Sequence, residues 1–116
     1  MSSFKSKNTF EKRKTESNKI VIKYVDRIPI IVEVSDQDSK TLTLDKSKYL
    51  VPFDLTVGQF MFVIRKRLKI EAEKALFLFF NNTLQPASTP VSNVYKEYKD
   101  KDGFLYAIIS LESVFG

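Results

Sequence analysis

At 116 residues, with 43% hydrophobic and 28% charged side chains, the chain has the make-up of one compact domain, not of a disordered tail or a multidomain enzyme. Cysteine and histidine are both absent, which removes disulfide frameworks, thiol and triad chemistry, and the usual nitrogen and sulfur metal ligands. The net charge of +5 sits within residues 1–27, so a basic N-terminal element precedes a formally neutral remainder, a pattern that favours acidic partners or anionic lipid heads.

Met1 to Ile20 contains no apolar run of signal-peptide length, and nothing approaches the roughly 18 apolar residues of a spanning helix. The unmodified chain is therefore expected to be soluble, and the lack of cysteine suits a reducing cytoplasm. Asn8 and Glu11 have the spacing of a helix cap, and Phe10, Ser17, Val21 and Tyr24 recur at near-helical intervals, which predicts a helix over 10–23. Beyond Pro29 the run Arg27 to Val34 alternates, with Ile28, Ile30, Val32 and Val34 sharing one face of a strand. The polar stretch Ser35 to Asp45 reads as a loop.

Lys48 to Pro52 follows as a short strand, and Pro52, which has no amide proton to donate, puts it at a sheet edge. Thr56 with Gln59 forms a capping box, and Phe60, Val63, Ile64 and Leu68 continue at helical spacing. Leu76 to Phe80 reads as a strand, with Asn81 and Asn82 turning after it. Thr89 before Pro90 predicts a cap for a short helix over 90–98. A turn at Asp102–Gly103 leads into a final strand, Phe104 to Ser110. The three glycines stand far apart, so no phosphate-cradling motif exists, and Glu11, Glu16, Asp36 and Asp38 read as solvated surface acids. Neither an enzyme, a metal site nor a cofactor is expected.

Several consecutive strings carry a resemblance. Phe10-Glu-Lys-Arg-Lys14, Arg27-Ile-Pro29, Asp45-Lys-Ser-Lys-Tyr-Leu-Val-Pro52, Asp54-Leu-Thr-Val-Gly-Gln-Phe60, Val63-Ile-Arg-Lys-Arg67, Tyr98-Lys-Asp-Lys-Asp-Gly-Phe-Leu-Tyr106 and the closing Phe115-Gly116 resemble the autophagy ubiquitin-like modifiers. That family includes the yeast autophagosome modifier, the GABA-receptor-associated protein and the microtubule-associated light chain type. The likeness covers nearly the whole chain. Two stretches depart from the family pattern: Ser110-Leu111-Glu112 stands where Ser-Gly-Glu is usual, and the segment from Glu33 to Leu44 differs.

The resemblance implies an α+β ubiquitin-like β-grasp roll over residues 27–116, preceded by two N-terminal helices in residues 1–26. It also implies conjugation through Gly116 to phosphatidylethanolamine, after action by a processing protease and by activating and conjugating enzymes similar to ubiquitin's. A docking groove for cargo receptors with aromatic-x-x-aliphatic motifs is implied too, the peptide adding to an exposed strand edge. Carried over by residue, the aromatic pocket comprises Glu16, Ile20, Pro29, Ile31, Lys48, Leu50 and Phe104. The aliphatic pocket comprises Tyr49, Val51, Pro52, Leu55, Phe60 and Val63, with Arg67 near the acidic flank of the motif. Without the resemblance, Ile20, Leu55, Phe60 and Val63 would be read as core.

Phe77 and Phe79, on the face opposite Leu76, Leu78 and Phe80, form a candidate second face, unless a neighbouring element covers both rings. The run Lys12-Arg13-Lys14 reads most simply as a solvated helix face, with conjugation enzymes, tubulin or anionic membrane as alternative contacts. Nucleic acid is not expected, because no aromatic residues interleave with that cluster. The implied protein is a monomer when unconjugated, cytoplasmic, and found on autophagosome and vesicle membranes once lipidated. Two rivals remain: a non-conjugated ubiquitin-like module, and a basic microtubule- or RNA-binding protein whose affinity would fall steeply with salt.

Overall fold

The computed structural model describes residues 2–71 and 73–112. Its elements are helices α1 (Ser3–Lys7) and α2 (Phe10–Lys23), strand β1 (Arg27–Val34), a 3-10 turn over Asp36–Asp38, strand β2 (Lys48–Pro52), helix α3 (Val57–Leu68), strands β3 (Phe77–Phe80) and β4 (Thr83–Leu84), helix α4 (Val91–Tyr98) and strand β5 (Leu105–Ser110). The sheet order is β2-β1-β5-β3-β4, with β1 and β5 parallel at its centre and antiparallel neighbours on either side. This is an α+β ubiquitin-like roll with helices in front, as the sequence predicts.

Local chemistry accounts for most element boundaries and corrects two of them. Helix α2 is capped by Thr9, whose hydroxyl accepts the Lys12 amide at 3.2 Å, and not by Asn8. Asn8 instead ends α1 and donates its side-chain amide to the Phe4 carbonyl at 3.0 Å. The capping box on α3 forms as predicted, with Thr56 and Gln59 each bonding the other's backbone. For α4, Pro90 occupies the cap position without a side-chain bond, and the carbonyl of Leu55 takes the Val91 amide at 2.7 Å. Thr89 therefore does not cap it. Asn81 and Asn82 take the left-handed conformation that their short polar side chains tolerate.

One face of the sheet packs against α3 and α4. Ile30 and Val32 of β1, Phe60 and Ile64 of α3, Phe80 of β3, Val91 and Val94 of α4, and Leu105, Ala107 and Ile109 of β5 form a dry cluster. Leu42, from the stretch read as loop, is buried in it as well. The α1–α2 layer covers the other face, where Ile31 and Phe104 are fully buried outside that cluster. Phe4 of α1 meets Phe104 edge-on, ring centroids 5.4 Å apart.

Candidate functional site

Strand β2 lies at the edge of the sheet, and its side chains alternate between two helices. Lys48 points to α2, where it pairs with Glu16. Tyr49 points to α3, where its ring meets Phe60 edge-on at 5.6 Å. Leu50 follows Lys48 and Val51 follows Tyr49, so one short strand offers side chains on both of its faces.

The sites named from the sequence divide into buried and accessible residues. On the α2 side, Pro29, Ile31 and Phe104 are buried, while Glu16, Ile20, Lys48 and Leu50 are half-buried. On the α3 side, Tyr49, Val51 and Phe60 are buried, Leu55 is half-buried, and Pro52, Val63 and Arg67 are exposed. Burial raises the Tyr49 phenol pKa, with the Arg67 charge acting against it, and the hydroxyl has no hydrogen-bond partner among the described residues. Arg67 reaches Asp45 at 3.5 Å in an exposed pair, which is weak in water. Phe77 is half-buried and Phe79 is 4% exposed, so the two rings do not form one open face.

The α2 wall is held by polar ties that the sequence did not reveal. Asp102, with a fully buried side chain, accepts from the Arg13 guanidinium at 2.6 Å, the Tyr106 hydroxyl at 2.5 Å and the Phe104 amide at 2.8 Å. Ser17, the one buried residue of α2, donates to the Asp102 carbonyl. Gly103 has φ of +94°, and a Cβ there would run into the Ser17 hydroxyl, so glycine serves both conformation and close approach. Arg13 thus leaves the solvated basic run. Burial and the bond to Asp102 both raise the Tyr106 pKa, which keeps the phenol a donor. The Tyr95 hydroxyl closes the same turn by donating to the Gly103 carbonyl at 2.7 Å.

Phe4, which no motif singled out, joins the α2 side: it meets the Phe104 ring, and the Lys48 ammonium lies 5.8 Å from its ring centroid. Lys5 adds a pair with Asp100 at 2.6 Å, and the Phe4 amide donates to Glu33 at 2.9 Å.

Where β5 ends, a second polar cluster forms. Asp38, read from sequence as a solvated acid, is 8% exposed and bonds Ser35, Ser110 and the Leu111 amide. Desolvation alone would raise its pKa, but the Leu111 amide, the two hydroxyls and Gln37 outweigh it and hold the carboxyl below the usual carboxylate range. Gly116 lies outside the described residues.

The family model described as "Autophagy protein Atg8 ubiquitin like" matches residues 12–116. Autophagy-related protein 8 of Vanderwaltozyma polyspora is 56% identical over 99% of this chain and 97% of its own length. Autophagy-related protein 8e of Arabidopsis thaliana is 56% identical over 97% of this chain and 92% of its own. The crystal structure of Trypanosoma brucei ATG8 superposes with a TM-score of 0.87 at 46% identity, covering 100% of this chain and 99% of that one.

Proposed function

This chain belongs to the Atg8 family of autophagy ubiquitin-like proteins, and on that premise we propose that it is a modifier conjugated through Gly116 to phosphatidylethanolamine, which then recruits receptors bearing aromatic-x-x-aliphatic motifs. It is the substrate of a processing protease and of activating and conjugating enzymes, and performs no chemistry itself. Unconjugated, it is a cytoplasmic monomer, and conjugation moves it to autophagosome and vesicle membranes.

The observation that carries the docking half is the position of β2. An edge strand offers backbone groups to an added strand, and the alternation of Lys48 and Leu50 with Tyr49 and Val51 offers each anchor residue one face of β2. The burial of Pro29, Ile31, Phe104, Tyr49, Val51 and Phe60 favours a preformed site, so little ordering cost is incurred on binding. Arg67, exposed at the end of α3, supplies a positive rim for acidic residues flanking the motif.

Conjugation is supported by the family and by the match of the family model through residue 116. None of the described helices is long and apolar enough to cross a membrane, so stable attachment would need acyl chains, and the two chains of a phospholipid suffice where one is marginal. The test mixes the chain with the family's activating and conjugating enzymes, ATP and phosphatidylethanolamine liposomes. The intact chain becomes membrane-bound and a chain lacking Gly116 stays in the supernatant, while both bind the motif peptide equally. Equal conjugation of the shortened chain, or none of the intact one, contradicts the proposal.

A further inference from the structure

We propose that Asp38 and Leu111 form a clamp that fixes the root of the C-terminal tail and so presents Gly116 to the activating enzyme; this rests on the conjugation reading above. The parallel pairing of β1 and β5 brings their C-terminal ends side by side, with Val34 opposite Ile109. The chain then leaves β1 through the 3-10 turn, and the Ser35 amide bonds the Ile109 carbonyl at 2.9 Å. That turn carries Asp38 back across the end of β5.

One carboxylate oxygen, Oδ2 of Asp38, gathers the Ser35 hydroxyl at 2.7 Å, the Ser110 hydroxyl at 3.0 Å and the Leu111 amide at 3.0 Å. Ser110 Oγ accepts in turn from Gln37 at 3.3 Å and from the Glu112 amide at 3.1 Å. The Leu111 side chain packs against the main core cluster. Backbone and side chain of the first residue past β5 are therefore both held. The turn after β1 and the end of β5 thus meet at three hydrogen bonds, Ser110 and Leu111 to Asp38 and Gln37 to Ser110.

A buried carboxylate costs free energy unless it is fully hydrogen-bonded, so the site is stable only while Ser110 and Leu111 stay where they are. Gly116 lies five residues beyond Leu111, a reach of at most about 18 Å from a fixed point. An enzyme that docks the globule and receives the tail at once meets Gly116 at an effective concentration set by that reach and by the direction of the root. Releasing Leu111 and Ser110 moves the fixed point back along the chain from Gly116 and removes the direction. Asp38 and Leu111 are positioning residues in this account; neither touches the reacting carboxyl.

The experiment measures thioester formation with the activating enzyme across chain concentrations for the intact chain, Asp38→Ala, Asp38→Asn and Leu111→Ala. Amide exchange at Leu111 and motif-peptide affinity are followed in parallel. Asp38→Ala and Leu111→Ala raise KM about three- to tenfold with kcat unchanged, speed exchange at Leu111 and leave peptide affinity within about twofold. Asp38→Asn, whose amide oxygen can take the Oδ2 position, restores part of the lost KM. Val94→Ala, a core truncation in α4 away from the clamp, lowers the melting temperature but keeps KM, which separates positioning from general destabilisation. Faster exchange at Leu111 with KM unchanged overturns the clamp, as does an equal rise in KM for Val94→Ala. If the intact chain itself forms no thioester, the conjugation reading falls and takes the clamp with it.

Discussion

The two faces of the sheet are held by different forces. Behind it, α3 and α4 pack a dry cluster of aliphatic and phenyl side chains, where stability grows with the apolar area removed from water. In front, α1 and α2 leave Phe10, Val21, Ile22 and Val25 exposed and are tied down mainly by polar contacts: Arg13 and Ser17 to Asp102, Lys5 to Asp100, the Phe4 amide to Glu33 and Lys48 to Glu16. Among the described residues, Phe4 on Phe104 and Tyr106 and the burial of Pro29 and Ile31 resemble a core there. A face fixed by a few directional bonds can be released by one substitution without unfolding the rest. It also forms one wall of the candidate groove.

Substitutions should separate the faces. The largest effect is expected from Phe60→Ala, which empties a fully buried site behind the sheet and should cost about 3–5 kcal/mol of unfolding free energy, read by denaturant titration. Asp102→Ala removes the acceptor for Arg13, Tyr106 and the Phe104 amide, and about 2 kcal/mol is expected. Its diagnostic signature is faster amide exchange in α2 with slow exchange kept in β1 and β5. Gly103→Ala should produce the same α2-selective pattern, because its Cβ displaces Ser17 and its φ becomes strained.

Acid supplies a third probe. The carboxyls of Asp38 and Asp100 are both held below their ordinary range, each against desolvation: by the Leu111 amide and its neighbouring groups for Asp38, and by Lys5 for Asp100. A depressed folded pKa stabilises the fold above the unfolded value and loses that contribution as pH falls through the folded one. Stability should therefore drop as pH is lowered past about 4, and Asp38→Asn should flatten that slope. The smallest effect belongs to Lys5→Ala: its pair with Asp100 is partly exposed, and a change within about 0.5 kcal/mol is expected by thermal melting.

The sequence was legible where periodicity or caps dominate. The alternation of Ile28, Ile30 and Val32, the capping box at Thr56 and the asparagine turn all appear in the structure. What stayed hidden depends on contacts between residues far apart in the chain. Asp38 looks like any loop acid until the parallel pairing of β1 and β5 brings Ser110 and Leu111 to it. Arg13 looks like its neighbours Lys12 and Lys14 until the Asp102 turn is folded beneath it. The candidate groove residues were named through family likeness: helical spacing alone marks Phe60 as core, where it lies buried, and leaves no sign that Leu50 on the adjoining strand stays half-buried.

Calorimetric titration with an aromatic-x-x-aliphatic peptide decides whether the edge of β2, flanked by the polar-tied α2, forms a peptide groove. The intact chain should bind at about −8 kcal/mol, in the micromolar range. Leu50→Ala should lose roughly 1.5–3 kcal/mol of that, because its side chain no longer packs against the aromatic anchor. A chain starting at residue 27 should keep a folded sheet by circular dichroism and lose affinity as well, since Glu16 and Ile20 are gone. Raising the salt should change the intact chain's affinity little, as apolar anchors dominate. Unchanged affinity in folded Leu50→Ala and in the shortened chain would contradict the groove.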